Sequence, residues 1–372
     1  MAACDRCLHR ASLLGRLAGF IERASAREPG RRVRSLLALP DEDLARAVGG
    51  QRRDELLKAH LETEPSTVRD RARASGCAAL CRHDDSYPAS LADLGDQAPA
   101  ALFARGAAEL LEDLELERAV TVVGARRASS YGRGVAVELS GMLARAGLVI
   151  VSGLANGVDS SAHRGALDAG GATIAVLGGG VDVPYPRRQA GLYRRIEAEG
   201  GLILSELPPG TPSFRWCFPA RNRIMAALGG LTAVVEATER SGSLITAAMA
   251  LDLGRAVGAV PGPVNAWLST GTNQLLVEGA VPIRDAQDVL DRMLGPGRVS
   301  LREVGPELDP ELASVLAPIE AGEGTCDAIA TAASIAPHVA AIALTRLELL
   351  GYVASDAAGR YVRTPLAPPP AS

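Results

Sequence analysis

Aromatic side chains are scarce in this 372-residue chain, at 3% of the total, so a ring placed among charged residues is a specific choice of position. No apolar run approaches the eighteen or so residues that a membrane span requires. The first residues, with Asp5, Arg6 and Arg10 around a short apolar run, lack a secretory cleavage pattern. These absences speak against a membrane protein and make the cytoplasm the expected compartment. Six cysteines are too few and too scattered for a disulfide framework in a chain of this length. Cys4-x-x-Cys7 and Cys77-x-x-x-Cys81 would make one structural zinc site if the fold joined them, but their separation favours reduced cysteines packed as small hydrophobes, with no metal expected.

What remains is ordinary globular composition, 47% hydrophobic and 22% charged, enough for two or three domains. The net charge of −4 hides an uneven spread. From Arg126 to Arg223 there are 12 arginines against 7 acidic residues, whereas Ser300 to Ser372 holds 4 arginines against 9 acids. The middle of the chain is suited to a polyanion and its end repels one.

The stretch VTVVGARRASSYGRG, Val120 to Gly134, runs an apolar strand into a glycine-arginine turn and opens a helix. Backbone N–H groups, a helix N-terminus and guanidiniums meet there, which is the chemistry phosphate requires. The turn lacks the GxGxxG spacing of a dinucleotide site and has no acidic ribose partner downstream. From this point strand-like runs alternate with helical segments. The strands are Ala119 to Val123, Leu148 to Ser152, Thr173 to Leu177, Leu202 to Ser205, Thr232 to Glu236, Val257 to Val260 and Val281 to Ile283. Continuous apolar strands between helices predict a mostly parallel sheet covered on both faces, a Rossmann-like α/β core over residues 86–295. Residues 1–85 read as a small helical domain of helix-hairpin or sterile-alpha-motif type, and Pro99 to Gly106 as an extended connection. Residues 296–366, three helical segments and two short strands, read as a winged helix-turn-helix, followed by a tail at 367–372. Its last helix offers only Arg346 beside Glu348, a poor set for reading DNA, so partner contact or packing is the better reading.

In such a sheet, ligands meet the carboxyl ends of the strands. After the second of these strands, SGLANGVDSSAH brings Ser152, Gly153, Asp159 and His163 together. Without a GxSxG elbow it reads as a shaped turn and helix cap rather than a catalytic set. After the third comes GGGVDVPYP. After the fourth, FRWCFPARNR interleaves Arg215, Phe218, Arg221, Asn222 and Arg223, which are cations for phosphates, a ring for a base face and an amide. After the fifth, Ser241-Gly242-Ser243 opens a helix, either as a second phosphate cradle or as a cap. The pattern calls for no chemical step and no cofactor.

In order and spacing, GARR…YGRG, SGLANGVDSSAH, GGGVDVPYP, SEL…FPARNRI, ERSGSLITA, AVPG and GTNQLLVEGA resemble the DNA-processing protein A family (DprA, also called Smf). ALTRLELLGYVASDAAGRYVR is similar to that family's winged-helix module. The resemblance implies a dimeric single-stranded DNA binder, not an enzyme, that protects incoming DNA and loads the RecA recombinase during transformation or recombination. It implies DNA contacts at Arg126, Arg215, Phe218, Arg221, Asn222 and Arg223. To these the strand-end turns add Ser152, Gly153, Ser241, Gly242 and Ser243. The chain departs from the family pattern at Ala125, where a serine is usual, and at Asn156, where a basic residue is frequent. The alternative reading is a Rossmann-like nucleotide phosphoribohydrolase of the lysine-decarboxylase-like kind. PGPVNAWLSTGT, however, interrupts the PGGxGTxxE motif of that family and supplies no matching glutamate.

Overall fold

The computed structural model describes residues 3–26, 29–112, 114–299, 305–356, 359–364 and 366. They fall into two compact units, Met1–Val299 and Ser300–Ser372. The first unit is built on nine strands: β1 (Ala78–Cys81), β2 (Ala101–Gly106), β3 (Ala119–Val123), β4 (Val149–Ser152), β5 (Thr173–Val176), β6 (Leu202–Ser205), β7 (Leu231–Val234), β8 (Ala256–Ala259) and β9 (Val281–Pro282). They lie in the order β1-β2-β6-β5-β4-β3-β7-β8-β9. From β6 to β9 every pairing is parallel, with Val120 of β3 level with Ile150 on one side and Leu231 on the other. Strands β3 to β7 are buried along their whole length, which is why each is an unbroken apolar run.

All seven expected strands are present, and two more extend the sheet. β1 and β2 join antiparallel beyond β6, where the sequence reading placed only a connection. This changes the domain boundary expected near residue 85. The five N-terminal helices, α1 (Asp5–Ser25), α2 (Pro29–Leu37), α3 (Asp41–Gly49), α4 (Arg53–Leu61) and α5 (Pro65–Ala74), do not form a separate body. Leu8 and Ala11 of α1 share a core with Phe103 and Ile203 of the sheet, and Leu17 and Ile21 share one with Trp216. Burying each of the larger ones, Leu8, Leu17 and Ile21, is worth about 1.5–3 kcal/mol, too much for α1 to stand apart.

Seven helices cover the sheet: α6 (Ser130–Arg145), α7 (Val158–Asp168), α8 (Ala190–Ala198), α9 (Cys217–Leu228), α10 (Gly242–Asp252), α11 (Thr270–Val277) and α12 (Ala286–Leu294). Side-chain caps fix where three of them begin, α12 by Asp285, which accepts from Gln287 N and Asp288 N. Ser129 accepts from Gly132 N at the start of α6, and Ser241 accepts from Ser243 N at the start of α10.

The second unit contains α13 (Pro310–Glu320), α14 (Cys326–Ala332), α15 (Pro337–Leu349) and an antiparallel hairpin of β10 (Val353–Ser355) and β11 (Tyr361–Arg363). Leu312, Leu316, Leu344, Leu347 and Tyr352 make its core. Arg346 pairs with Asp309 at 2.9 Å, and Glu348 accepts from Ser355 N and Oγ, so both charges of α15 have partners within the unit. The expected tail at 367–372, and residues 357–358 of the turn that the sequence suggests over 357–359, lie outside the described residues. No single described helix is long and apolar enough to cross a membrane.

Candidate nucleic-acid interface

The connection leaving β3 runs one way along the sheet to β4, and the one leaving its neighbour β7 runs the other way to β8. The crevice where the strand order reverses is where a wound sheet takes its ligand. A trough of about 680 Å³ opens there. It is lined by the turn after β3 (Arg126, Arg127), the start of α7 (Asp159) and one face of α9, together with the N-terminus of α10 and the loop after β8 (Trp267).

Close backbone packing sets the β3 turn. Gly157 has φ of +80°, and a Cβ there would meet Ala125 O at 2.2 Å, so only glycine lets α7 close on the turn. Glu236, buried after β7, accepts from Ser129 N at 2.9 Å and Ser129 Oγ at 2.5 Å, while its backbone O accepts from Ala125 N at 2.7 Å. The turn that carries Arg126 and Arg127 is thus tied at both ends, and both arginines are exposed.

Helical spacing decides what α9 contributes. Phe218, Arg221, Asn222 and Met225, at i, i+3, i+4 and i+7, face the trough, whereas Trp216, Ala220 and Arg223 face away. Phe218 has the Arg126 guanidinium carbon 5.2 Å from its ring centroid and the Tyr185 ring 5.3 Å away. Arg215 enters from the segment before the helix. Among the described residues, no carboxylate lies within ion-pair distance of Arg126, Arg127 or Arg215, so their charge is free for an anion. Arg221 lies deeper. It donates to Val176 O at 2.8 Å and faces Asp159 at 3.7 Å, and its Nε has no partner among the described residues. Burial pulls this guanidinium down to about 10, against the pull of Asp159, so it remains a cation at neutral pH. Burial also pushes the Asp159 carboxyl up, and Arg221 opposes that shift.

Three of the eleven residues expected at the site do not line the trough. Arg223 is 1% exposed; it pairs with Glu206 at 2.7 Å and donates to Gln97 O and Ala220 O. Its neighbour but one, Arg221, is two residues along a helix and therefore on another face, so the two arginines of the RNR run cannot serve one surface. Ser152 donates its hydroxyl to Val122 O at 2.6 Å and is fully buried. Gly153 lies beneath Arg221, where a Cβ would fall 1.4 Å from the guanidinium; its role is to leave room. Of the three rings near Arg215, Trp216 is core, donating from Nε1 to Ala18 O at 2.9 Å, and Phe214 packs on the same cluster.

Sequence reasoning missed Arg127, Tyr185 and Trp267. All three sit in strand-end loops that the sequence exposes, and Trp267 is 75% exposed despite the shortage of rings. At Asn156, where the resembled family frequently has a basic residue, the side-chain amide oxygen accepts from Arg188 Nε and from Gln189 Nε2.

The Ser–Asp–His arrangement is not a nucleophile set. Thr173 Oγ1 donates to Ile150 O, so His163 Nδ1 donates to that hydroxyl at 2.7 Å, and His163 Nε2 accepts from Leu154 N at 3.3 Å. Burial, with Arg221 and Arg164 nearby, pulls the imidazole down to about 3. It is a neutral core group.

A model of the family described as DNA recombination-mediator protein A matches residues 78–294, more than half the chain. The chain belongs to that family. A protein named Putative DNA processing protein DprA from Mycobacterium tuberculosis is 41% identical over 68% of this chain, an alignment that spans 66% of that relative's length. The Streptococcus pneumoniae DNA processing protein DprA is 45% identical over 56% of this chain and 71% of its own. The X-ray structure of DprA from the same species superposes with a TM-score of 0.60 at 34% identity, covering 78% of this chain and 98% of that one. A structure of DNA processing protein A from Helicobacter pylori, described as showing a unique single-stranded DNA binding mode, superposes with a TM-score of 0.52 at 31% identity, over 59% and 95% of the two chains. Family membership thus covers the whole trough, since every lining residue lies within 78–294.

Proposed function

We propose that this protein binds single-stranded DNA in the trough, protects it, and delivers it to the RecA recombinase, acting as a dimer in DNA processing during transformation or related recombination. One observation carries the reading: Arg126, Arg127 and Arg215, free of carboxylates, sit beside the rings of Phe218, Tyr185 and Trp267. Single strands require this combination. Cations follow the backbone while exposed π faces take bases of any sequence, at about 1–3 kcal/mol per stacked base. Duplex DNA hides those faces and has only its phosphates to offer.

The protein acts by binding rather than by chemistry. The lining acid, Asp159, is paired with Arg221 and buried, and His163 is a neutral core group, so among the described residues no unpaired carboxylate or imidazole faces the trough to activate its hydroxyls. A nucleotide phosphoribohydrolase would need an available carboxylate there. The second unit is read as a winged helix that serves contact with a partner, since Arg346 and Glu348 are engaged within it. Fluorescence anisotropy with labelled single and double strands across a salt series tests the binding. Tight single-strand binding with weak duplex binding is expected. Equal affinity for both, or release of base from nucleoside monophosphates abolished by Arg126→Ala, would overturn it.

A further inference from the structure

The N-terminus of α1 and the end of strand β1 bring four metal-ligating side chains together at the far edge of the sheet. Cys4 Sγ, Cys7 Sγ, Cys81 Sγ and His83 Nδ1 all lie within 4.8 Å of one another. The histidine nitrogen is 3.4 Å from Cys4 Sγ, 3.4 Å from Cys7 Sγ and 3.9 Å from Cys81 Sγ. A tetrahedral zinc with Zn–S near 2.3 Å and Zn–N near 2.0–2.1 Å requires sulfur-to-nitrogen edges of roughly 3.5 Å. We infer that Cys4, Cys7, Cys81 and His83 form a structural zinc site that fastens the first helix to the sheet edge.

The local folding supports a built site rather than a chance meeting of thiols. Cys4 and Cys7 are brought to one side by the first helical turn, where Cys7 N and Leu8 N both donate to Cys4 O. Cys81 and His83 flank a turn closed by Asp84 N donating to Cys81 O at 2.8 Å. Cys4 N donates to Cys81 Sγ at 3.4 Å, the backbone bond that commonly supports a metal-bound thiolate. The three sulfurs are not cross-linked. Three thiolates and one Zn²⁺ leave a net charge of −1, and Arg6 and Arg82, adjacent in sequence to two ligands, line the same cleft. All four positions are protein ligands and the set is closed, so the site is structural and leaves no open position for catalysis. The sequence alone favours reduced cysteines without metal, and the zinc set it offers has Cys77 in place of His83. Cys77 turns away, its thiol donating to Ser75 O at 3.3 Å, and His83 takes the fourth place.

The consequence is mechanical. α1 holds Trp216, at the start of α9, through Ala18 O and through Glu22, which accepts from Trp216 N at 3.1 Å. A metal at its N-terminus would anchor the same helix at its other end, on β1, where Ala3 N already donates to Ala79 O at 2.8 Å.

The test is metal analysis of the full chain purified under reducing conditions from zinc-supplemented culture, with anaerobic Co²⁺ titration of the stripped protein. About one zinc per chain is expected, with the visible absorption of tetrahedral thiolate-bound cobalt and a lower melting temperature after chelation. His83→Ala and Cys81→Ser should lose at least about tenfold in retained zinc, and Cys77→Ser should lose none. Less than about a tenth of an equivalent of zinc in the native chain together with no cobalt spectrum would overturn the site, whatever the variants do. So would a disulfide between Cys4 and Cys7, or loss of metal in Cys77→Ser with retention in His83→Ala.

Discussion

Arg223 and Arg126 carry the same guanidinium at the same rim of the same sheet, yet their surroundings give them opposite roles. Arg223 is enclosed by Glu206, Gln97 O and Ala220 O, so it joins α9 to neighbouring segments and offers nothing to solvent. Arg126 stands exposed on a tied turn beside Phe218 with no carboxylate partner among the described residues. A count of arginines therefore overstates a binding surface. What matters is which guanidiniums already have their counter-charge.

The sharpest separation of the two roles comes from Arg223→Ala. Removing one partner of a buried ion pair leaves Glu206 uncompensated and should lower stability by about 3–5 kcal/mol, seen as a shifted denaturant midpoint. The folded fraction should bind single strands with an unaltered salt slope. A fall in slope of the size caused by Arg126→Ala would move Arg223 back to the DNA surface.

Next in size is the acid sensitivity contributed by His163. Its folded value of about 3 lies below the ordinary 6.5, so the unfolded chain binds a proton that the folded chain refuses. The stability it contributes is complete above pH 6.5 and is lost as pH falls toward 3, at up to about 1.4 kcal/mol per pH unit. His163→Gln should be less stable at neutral pH but show a flatter acid limb between those values. An unchanged limb would mean that the imidazole titrates freely.

Among the trough residues, Phe218→Ala should weaken single-strand binding by about 1–3 kcal/mol with little change in salt slope, and Tyr185→Ala and Trp267→Ala should act in the same way. Arg126→Ala and Arg215→Ala should each reduce the slope by about 0.7, together with affinity. A slope change in the ring variants equal to that in the arginine variants would erase the distinction between stacking and phosphate contacts.

Much of this was legible in the chain, and the exceptions have physical causes. Buried parallel strands must be apolar on both faces, so β3 to β7 announce themselves as continuous runs. β1 and β2 were hidden because short, alanine-rich antiparallel strands such as AALC and ALFARG carry no periodicity strong enough to separate them from a connection. At the site, the turns at Arg126 and Ser241 were visible because glycine and serine at a strand end have few other uses. The error at Arg223 came from reading RNR as a linear cluster when a helix sends positions i and i+2 to different faces. His83 went unseen as a candidate ligand because a single histidine two residues from a cysteine resembles no spacing motif, and only the pairing of β1 with the first helix brings it to Cys4 and Cys7.

The central claim is that exposed cations and rings at the switch point form one surface for unpaired nucleic acid. Its most direct test is the salt dependence of single-strand affinity in the native chain compared with the Arg126→Ala/Arg127→Ala/Arg215→Ala variant. The predicted result is a slope lower by about 2 in the triple variant, with the fold intact by circular dichroism. An unchanged slope and affinity would place the DNA elsewhere on the molecule and contradict the account.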